Sequence, residues 1–328
     1  MGLLAACEQK MPETVATTPR IDIAGLNRTI GAIAGAVRPG VLGVGLTNLE
    51  SGQAFVFNGD RRFPMQSVFK LPLAAAVLAE MDAGRLLLTE PVYLREDQLS
   101  PSFSPIAAGW PARRDYTLQA LFEAMVIDSD NTAADVLMKR IGGPGAVAAW
   151  LTASHVPEVR VDRYERELQP EVYGMPSFRP AWRDGALFAQ ARNAVAPPVR
   201  LAAMRRYMAD PRDTATPRGM LELLQLLDRR ELISPASTRR LIDLMSRTRR
   251  GADRIKAGLP QGAFLAHRPG TSGVDQGIST AHNDVGLITL ADKRSYALAV
   301  FLSGSTLDDA GRDRIIAEVT REAIRAIG

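Results

Sequence analysis

The chain has 328 residues, 46% of them hydrophobic, which is enough apolar material for one sizeable core or two lobes sharing a cleft without a partner. Its formal charge of +4 comes from 40 basic residues scattered among 36 acidic ones, and none of its few aromatic residues (6%) is interleaved with Arg in a stacking pattern. A nucleic-acid footprint needs basic blocks or stacking platforms, so nucleic acid is excluded as a partner.

The first informative segment is Leu3-Leu4-Ala5-Ala6-Cys7, around the single cysteine. A lone cysteine forms no internal disulfide, and this setting is similar to a bacterial lipobox. Cys7 is therefore a lipidation candidate, with residues 1–20 read as a truncated signal and tether. The alternative is a disordered N-terminus with a chance cysteine, because the basic region of a signal is missing and the apolar run is short. No later stretch reaches the ~18 apolar residues of a spanning helix.

From Ile21 to about Ala36 the apolar spacing predicts an amphipathic helix, followed by strands at 41–46 and 54–57 across the turn Glu50-Ser51-Gly52. A middle section with Ala and Leu at helical spacing predicts helices over 71–81, 117–125, 132–141, 217–227 and 235–245. Strands return at 264–267, 285–290 and 296–301, and a helix from about Leu307 to Ala326 closes the chain. Strands at both ends around a helical middle predict an α/β two-lobe fold. In it an antiparallel sheet flanked by the terminal helices (21–63 and 255–328) packs against an all-helical lobe (64–254), with a site in the cleft between them. In the stretch 170–211 Pro and Gly recur among two short helical pieces, so it reads as a long, partly ordered excursion.

Three short motifs carry chemistry. Ser67-Val68-Phe69-Lys70 leads into a predicted helix, which places Ser67 at its N-terminal end and Lys70 one turn on, along the same face. A serine hydroxyl needs an adjacent base, and a buried amine of lowered pKa can take its proton. The helix N-terminus also offers backbone N–H groups to an oxyanion. Ser129-Asp130-Asn131 lies where one helix stops and another starts, so it reads equally well as an N-cap. Arg268-Pro269-Gly270-Thr271 lies on the strand after His267; an Arg on the strand suits bidentate binding of a carboxylate, and a free N–H at Thr271 suits an oxyanion hole shared with Ser67.

In this order the three resemble the S-x-x-K, S-D-N and K-T-G set of the serine β-lactamases and penicillin-binding proteins. The segment Val161 to Gln169, with Glu165, is similar to the omega loop of class A serine β-lactamases. The segments Phe103-Ser104-Pro105, Ile141 to Pro144, Arg212 to Pro217 and Asn283 to Gly286 also follow that family, so the resemblance covers nearly the whole chain after residue 20. It implies hydrolysis of a β-lactam amide through an acyl-enzyme on Ser67, with Lys70 or Glu165 accepting its proton and Ser129 relaying one to the lactam nitrogen. Glu165 would activate the water that frees the acyl group. Ser67 and Thr271 would supply the oxyanion N–H groups. Asn131, Gln169, Arg268, Gly270, Thr271, Arg254 and Phe103 would contact substrate, and Arg163 would pair with Asp213 to close the loop.

The same resemblance implies a periplasmic monomer that acts on small-molecule β-lactams, needs no cofactor or metal, and meets a membrane only through an anchor on Cys7. The three histidines, His155, His267 and His282, are isolated in sequence and argue against a metal site or a Ser-His-Asp triad. Several positions depart from the family pattern. Arg268-Pro269 replaces Lys-Thr, which keeps the charge but removes a hydroxyl and a backbone donor. His282 stands at one of two places from which the family brings a further Arg, leaving Arg254 for that role. Gln169 replaces an Asn, and Gln66 and Asp135 are similar to a less typical branch that includes extended-spectrum enzymes. The stretch after Gln169 is longer than in the family, as a lid or as surface decoration. The rival readings are a D-alanyl-D-alanine peptidase of the penicillin-binding type and a β-lactam sensor that acylates without turnover.

Overall fold

The computed structural model describes residues 20–327, so Cys7 lies outside the described residues. Strands Val41–Asn48 and Ala54–Phe57 from the start of the chain join Phe264–Thr271, His282–Thr289 and Ser295–Ser303 from its end in one five-stranded sheet. Its spatial order is 54–57, 41–48, 295–303, 282–289, 264–271, and all pairs are antiparallel, with Val41 opposite Ser303 and His282 opposite Thr271. The last strand of that order, Phe264–Thr271, is an open edge.

Alternation along the strands sorts the two faces. Leu42, Val44, Leu298 and Val300 point to the helices Ile23–Ala36 and Asp309–Arg325, where they meet Ile30, Ile316 and Val319. Ala297, Ala299 and Phe301 face the helical lobe instead. A Cβ on Gly45 would sit 2.7 Å from Leu221 Cδ1, so this glycine lets helix Pro217–Asp228 lie flat on the sheet.

The helical lobe is built around Lys70–Asp82, whose residues 70–78 are all buried. A helix apolar around its whole circumference has to be surrounded. Helices Asn131–Arg140, Pro144–Ala153 and Pro235–Ser246 do this. The helix Pro144–Ala153 was not foreseen from periodicity, since only its Val147 and Leu151 are buried. Ser67 also lies outside the α-helix, in a 3-10 turn Gln66–Phe69 that precedes it. Helix Leu118–Glu123 runs on as a wider π-helical turn, Ala124–Asp128, that ends on Ser129 in the left-handed conformation at φ 69°.

The stretch 170–211 is more regular than its composition suggested. It holds a 3-10 turn Pro180–Arg183 and helices Gly185–Ala194 and Pro197–Ala209. The two short helical pieces expected there are these two helices, and Pro180 and the Pro197-Pro198 pair stand at first helical positions, where a missing N–H costs nothing. The segment makes a small core of its own from Leu168, Val172, Tyr173, Met175, Met204 and Tyr207. A buried pair, Arg200 Nε to Asp275 Oδ2 at 2.8 Å, ties it to the hairpin that follows the edge strand. Among the described residues no helix is long and apolar enough to cross a membrane.

Candidate active site

The cleft between the lobes, about 450 Å³, is lined by Ser67, Ser129, Asn131, Gln169, Phe103, Arg254 and Thr271 among others. In the 3-10 turn only Ser67 is accessible; Gln66, Val68 and Phe69 are buried. Lys70, the first residue of the central helix, is fully buried and brings Nζ to 3.2 Å from Ser67 Oγ. The same Nζ lies 2.6 Å from Asn131 Oδ1, 2.9 Å from the Ser129 carbonyl, 3.4 Å from Ser129 Oγ and 3.1 Å from Glu165 Oε1. Three N–H groups thus face five acceptors, and no arrangement of protons serves them all. Burial holds the Lys70 amine below its ordinary pKa, the Glu165 charge works against that, and the Arg268 charge adds to it.

The motif around Ser129 divides its work by residue. Asp130 is buried and caps helix Asn131–Arg140, accepting from Ala133 N at 2.8 Å, and also accepts from Ser104 Oγ and Ile106 N. Ser129 and Asn131, on either side, turn into the cleft. The capping reading holds for Asp130, while its two neighbours are left free to face the cleft. Asn131 spends its oxygen on Lys70 and one amide hydrogen on the Pro101 carbonyl at 3.2 Å, which leaves one N–H for a ligand.

Glu165 is the first residue of helix Glu165–Val172 and is 1% exposed. Asp135 caps this helix, accepting from Glu165 N at 2.7 Å and Arg166 N at 3.1 Å, and it also takes the Ser100 hydroxyl at 2.6 Å. Burial, helped by the Glu165 charge, pushes the Asp135 carboxyl up to about 7. Gln169, one turn on, gives Nε2 to Glu165 Oε2 at 2.8 Å and to Gln66 Oε1 at 3.0 Å. The start and end of the loop meet at Arg163 Nε and Asp213 Oδ2, 2.5 Å apart, while the backbone N–H groups of Asp162 and Arg163 donate to Asp213 Oδ1.

The opposite wall is the edge strand. A Cβ on Gly270 would be 2.3 Å from the Met65 carbonyl, so only glycine lets this strand approach the 3-10 turn that carries Ser67. Ser272 N–H donates to Ala281 O, and since donors alternate along an antiparallel ladder, the Thr271 N–H points to the open edge. Pro269 has the same parity, so its missing N–H subtracts nothing from the sheet.

Arg268 requires a correction. A bidentate grip on a carboxylate was expected, but the side chain is 1% exposed and absent from the cleft lining. Its Nε donates to the Ser67 carbonyl at 2.8 Å, Nη1 to the Val126 carbonyl at 2.8 Å and the Met125 carbonyl at 3.2 Å, and Nη2 to Ser129 Oγ at 2.7 Å. With four of five N–H groups committed, no two parallel donors remain for a carboxylate. Arg268 clamps the strand to both catalytic-motif turns. Gly270 likewise does not line the cleft; its contribution is the close approach.

Arg254 does reach the cleft, where Nη2 donates to Thr271 Oγ1 at 2.7 Å. Its Nε is held by Asp313 at 2.8 Å, and His282 Nε2 lies 2.7 Å from the same carboxylate oxygen. Phe103 is 44% exposed at the rim, with the Arg250 guanidinium 3.8 Å from its ring centre. Arg250, Tyr173 and Phe188 line the cleft without any sequence signal having singled them out. The last two make the 170–211 segment a side wall of the cleft and more than surface decoration. Among the described residues no group of three or more His, Cys, Asp or Glu side chains is placed to hold a metal ion.

The chain matches a family model described as the β-lactamase enzyme family over residues 25–327. It is 29% identical over 281 residues to β-lactamase VEB-1 of Pseudomonas aeruginosa, covering 85% of this chain and 83% of the relative. Of solved structures, a β-lactamase from Chitinophaga pinensis superposes with a TM-score of 0.76 at 29% identity, covering 92% of this chain and 99% of the other. An ancestral (GNCA) class A β-lactamase does so with a TM-score of 0.74 at 31% identity over 92% and 99% of the two chains. With its motifs gathered at one cleft and its fold shared along almost the whole described length, the chain belongs to the β-lactamase enzyme family and is a serine β-lactamase of the class A type.

Proposed function

We propose that the protein hydrolyses β-lactams in two steps that share Lys70 and Glu165. Lys70 Nζ first gives a proton to Glu165; Ser67 Oγ then attacks the lactam carbonyl, its proton passes to the freed Lys70 amine, and the oxyanion sits on the N–H groups of Ser67 and Thr271. The C–N bond breaks as Ser129 hands a proton to the departing nitrogen and takes one from Lys70 Nζ, which recovers its own from Glu165. A water then attacks the ester carbonyl, giving a proton to Glu165, and the C–O bond to Ser67 breaks as Ser67 recovers its hydrogen. Asn131, Thr271 and Arg254 would orient the substrate, with the Arg254 charge beside its carboxylate.

The observation that carries this reading is the position of one buried amine, 3.2 Å from Ser67 Oγ and 3.1 Å from Glu165 Oε1. Steady-state turnover of a chromogenic cephalosporin, beside Glu165→Ala with mass spectrometry, tests it. Turnover in the wild type and a trapped adduct on Ser67 in the variant support it; a stable adduct already in the wild type moves the protein to the penicillin-binding or sensor class. The same reading has the protein confer β-lactam resistance from the periplasm, which expression in a susceptible host with a measured inhibitory concentration checks.

A further inference from the structure

The buried polar chain that ends on Glu165 begins outside the shared catalytic motifs, in the 170–211 segment. Tyr207, on helix Pro197–Ala209, is 4% exposed, and its hydroxyl accepts from Gln66 Nε2 at 2.8 Å. Gln66 Oε1 accepts from Gln169 Nε2, which also donates to Glu165 Oε2. The direction of this chain is forced from its carboxylate end. An ionised Glu165 only accepts, so Gln169 presents its amide nitrogen; Gln66 must then meet that nitrogen with oxygen and turn its own nitrogen away, toward Tyr207. Gln66 is 3% exposed, so without the Tyr207 oxygen its N–H would be buried unpaired. Burial pushes the Tyr207 phenol far above its ordinary pKa, so it stays a hydroxyl.

The helix that carries Tyr207 is itself held in place. It shares the small core with Leu168 and Val172 of the Glu165 helix, and its Arg200 is paired with buried Asp275 beyond the edge strand. We infer that Tyr207 is a positioning residue for deacylation, acting through Gln66 and Gln169 to fix the Glu165 carboxylate, and that the 170–211 segment is thereby part of the catalytic apparatus.

This rests on the reading of Glu165 as the deacylating base, and the experiment separates the two. Acylation and deacylation rates are measured by stopped flow with a chromogenic cephalosporin in the wild type, Tyr207→Phe, Gln66→Met, the double variant and Glu165→Ala, with burst amplitude counting active sites. Loss of one neutral hydrogen bond predicts deacylation per active site slowed roughly three- to tenfold in Tyr207→Phe, with acylation within about twofold. The double variant should deacylate no more slowly than the slower single one, because both break the same chain. Should Tyr207→Phe fail to fold, Gln66→Met is read alone, and unchanged deacylation there overturns the proposal. Loss of burst amplitude only, equal slowing of both steps, or wild-type deacylation in Tyr207→Phe while Glu165→Ala stalls also overturns it and leaves the proposed function standing. If Glu165→Ala turns over like the wild type, the proposed function itself fails.

Discussion

Two buried ion pairs hold the omega loop, one closing its two ends and one tying its Glu165 to the central helix, and they are built to opposite purposes. Arg163 and Asp213 meet at 2.5 Å, and the Asp213 carboxylate also collects the N–H groups of Asp162 and Arg163. Burial opposes the charge on Arg163, but Asp213 and Glu171 prevail and its pKa is raised. Lys70 and Glu165 are as deeply buried, yet there the cation has more acceptors than hydrogens and burial prevails, so the Lys70 pKa is lowered. A buried pair is structural when its carboxylate is matched and its cation cannot release a proton; it is poised for chemistry when a lysine is over-subscribed.

The sharpest break of this contrast is Glu165→Ala. Removing the proposed general base should slow turnover by about a hundred- to ten-thousandfold while the protein stays folded, which steady-state rates and thermal melting check together. Asp213→Ala should do the reverse, leaving Arg163 buried without its main partner and destabilising the protein by about 3–5 kcal/mol in a denaturant titration. Arg268→Lys should fall between them. A point charge cannot reach the Ser67, Met125 and Val126 carbonyls at once, so stability should drop by about 1–3 kcal/mol, with a loss of acylation rate from Ser129 losing its donor.

The smallest effect sharpens the comparison through pH. The Asp135 carboxyl titrates near 7 when folded, above its ordinary value of 3.8, so the folded protein holds this proton longer than the unfolded chain. Its contribution to stability is full below about pH 4 and is lost as pH rises to about 7. Asp135→Asn should lower stability by about 1 kcal/mol through the weakened helix cap, and its deficit relative to the wild type should shrink between those pH values. Melting curves across that range check it; a deficit that grows with pH would mean that the carboxylate is better held than its burial implies.

Ser67 and Lys70 were readable because they are three residues apart, and local spacing survives even though the turn proved 3-10 rather than α. Ser129 to Asn131 were readable for the same reason. Arg268 was read with the wrong partner, since nothing near it in sequence says that the carbonyls of Ser67, Met125 and Val126 converge on it. Tyr207, Gln66 and Gln169 come from three separate segments, and no period or spacing links them. The two helical pieces of the 170–211 segment were readable, but not their bounds, because the sequence does not say on which side of a proline a helix lies.

The order of strands and helices, the two lobes and Ser67 with its neighbouring amine were determined by the sequence itself, because each rests on periodicity or on a contact within a few residues. The partners of buried Arg268 and Arg254 were decided only by the tertiary structure. An arginine, an aspartate or a glutamine carries the same letter whether it faces solvent, substrate or a distant carbonyl, and burial with geometry chooses among these only once the chain has folded.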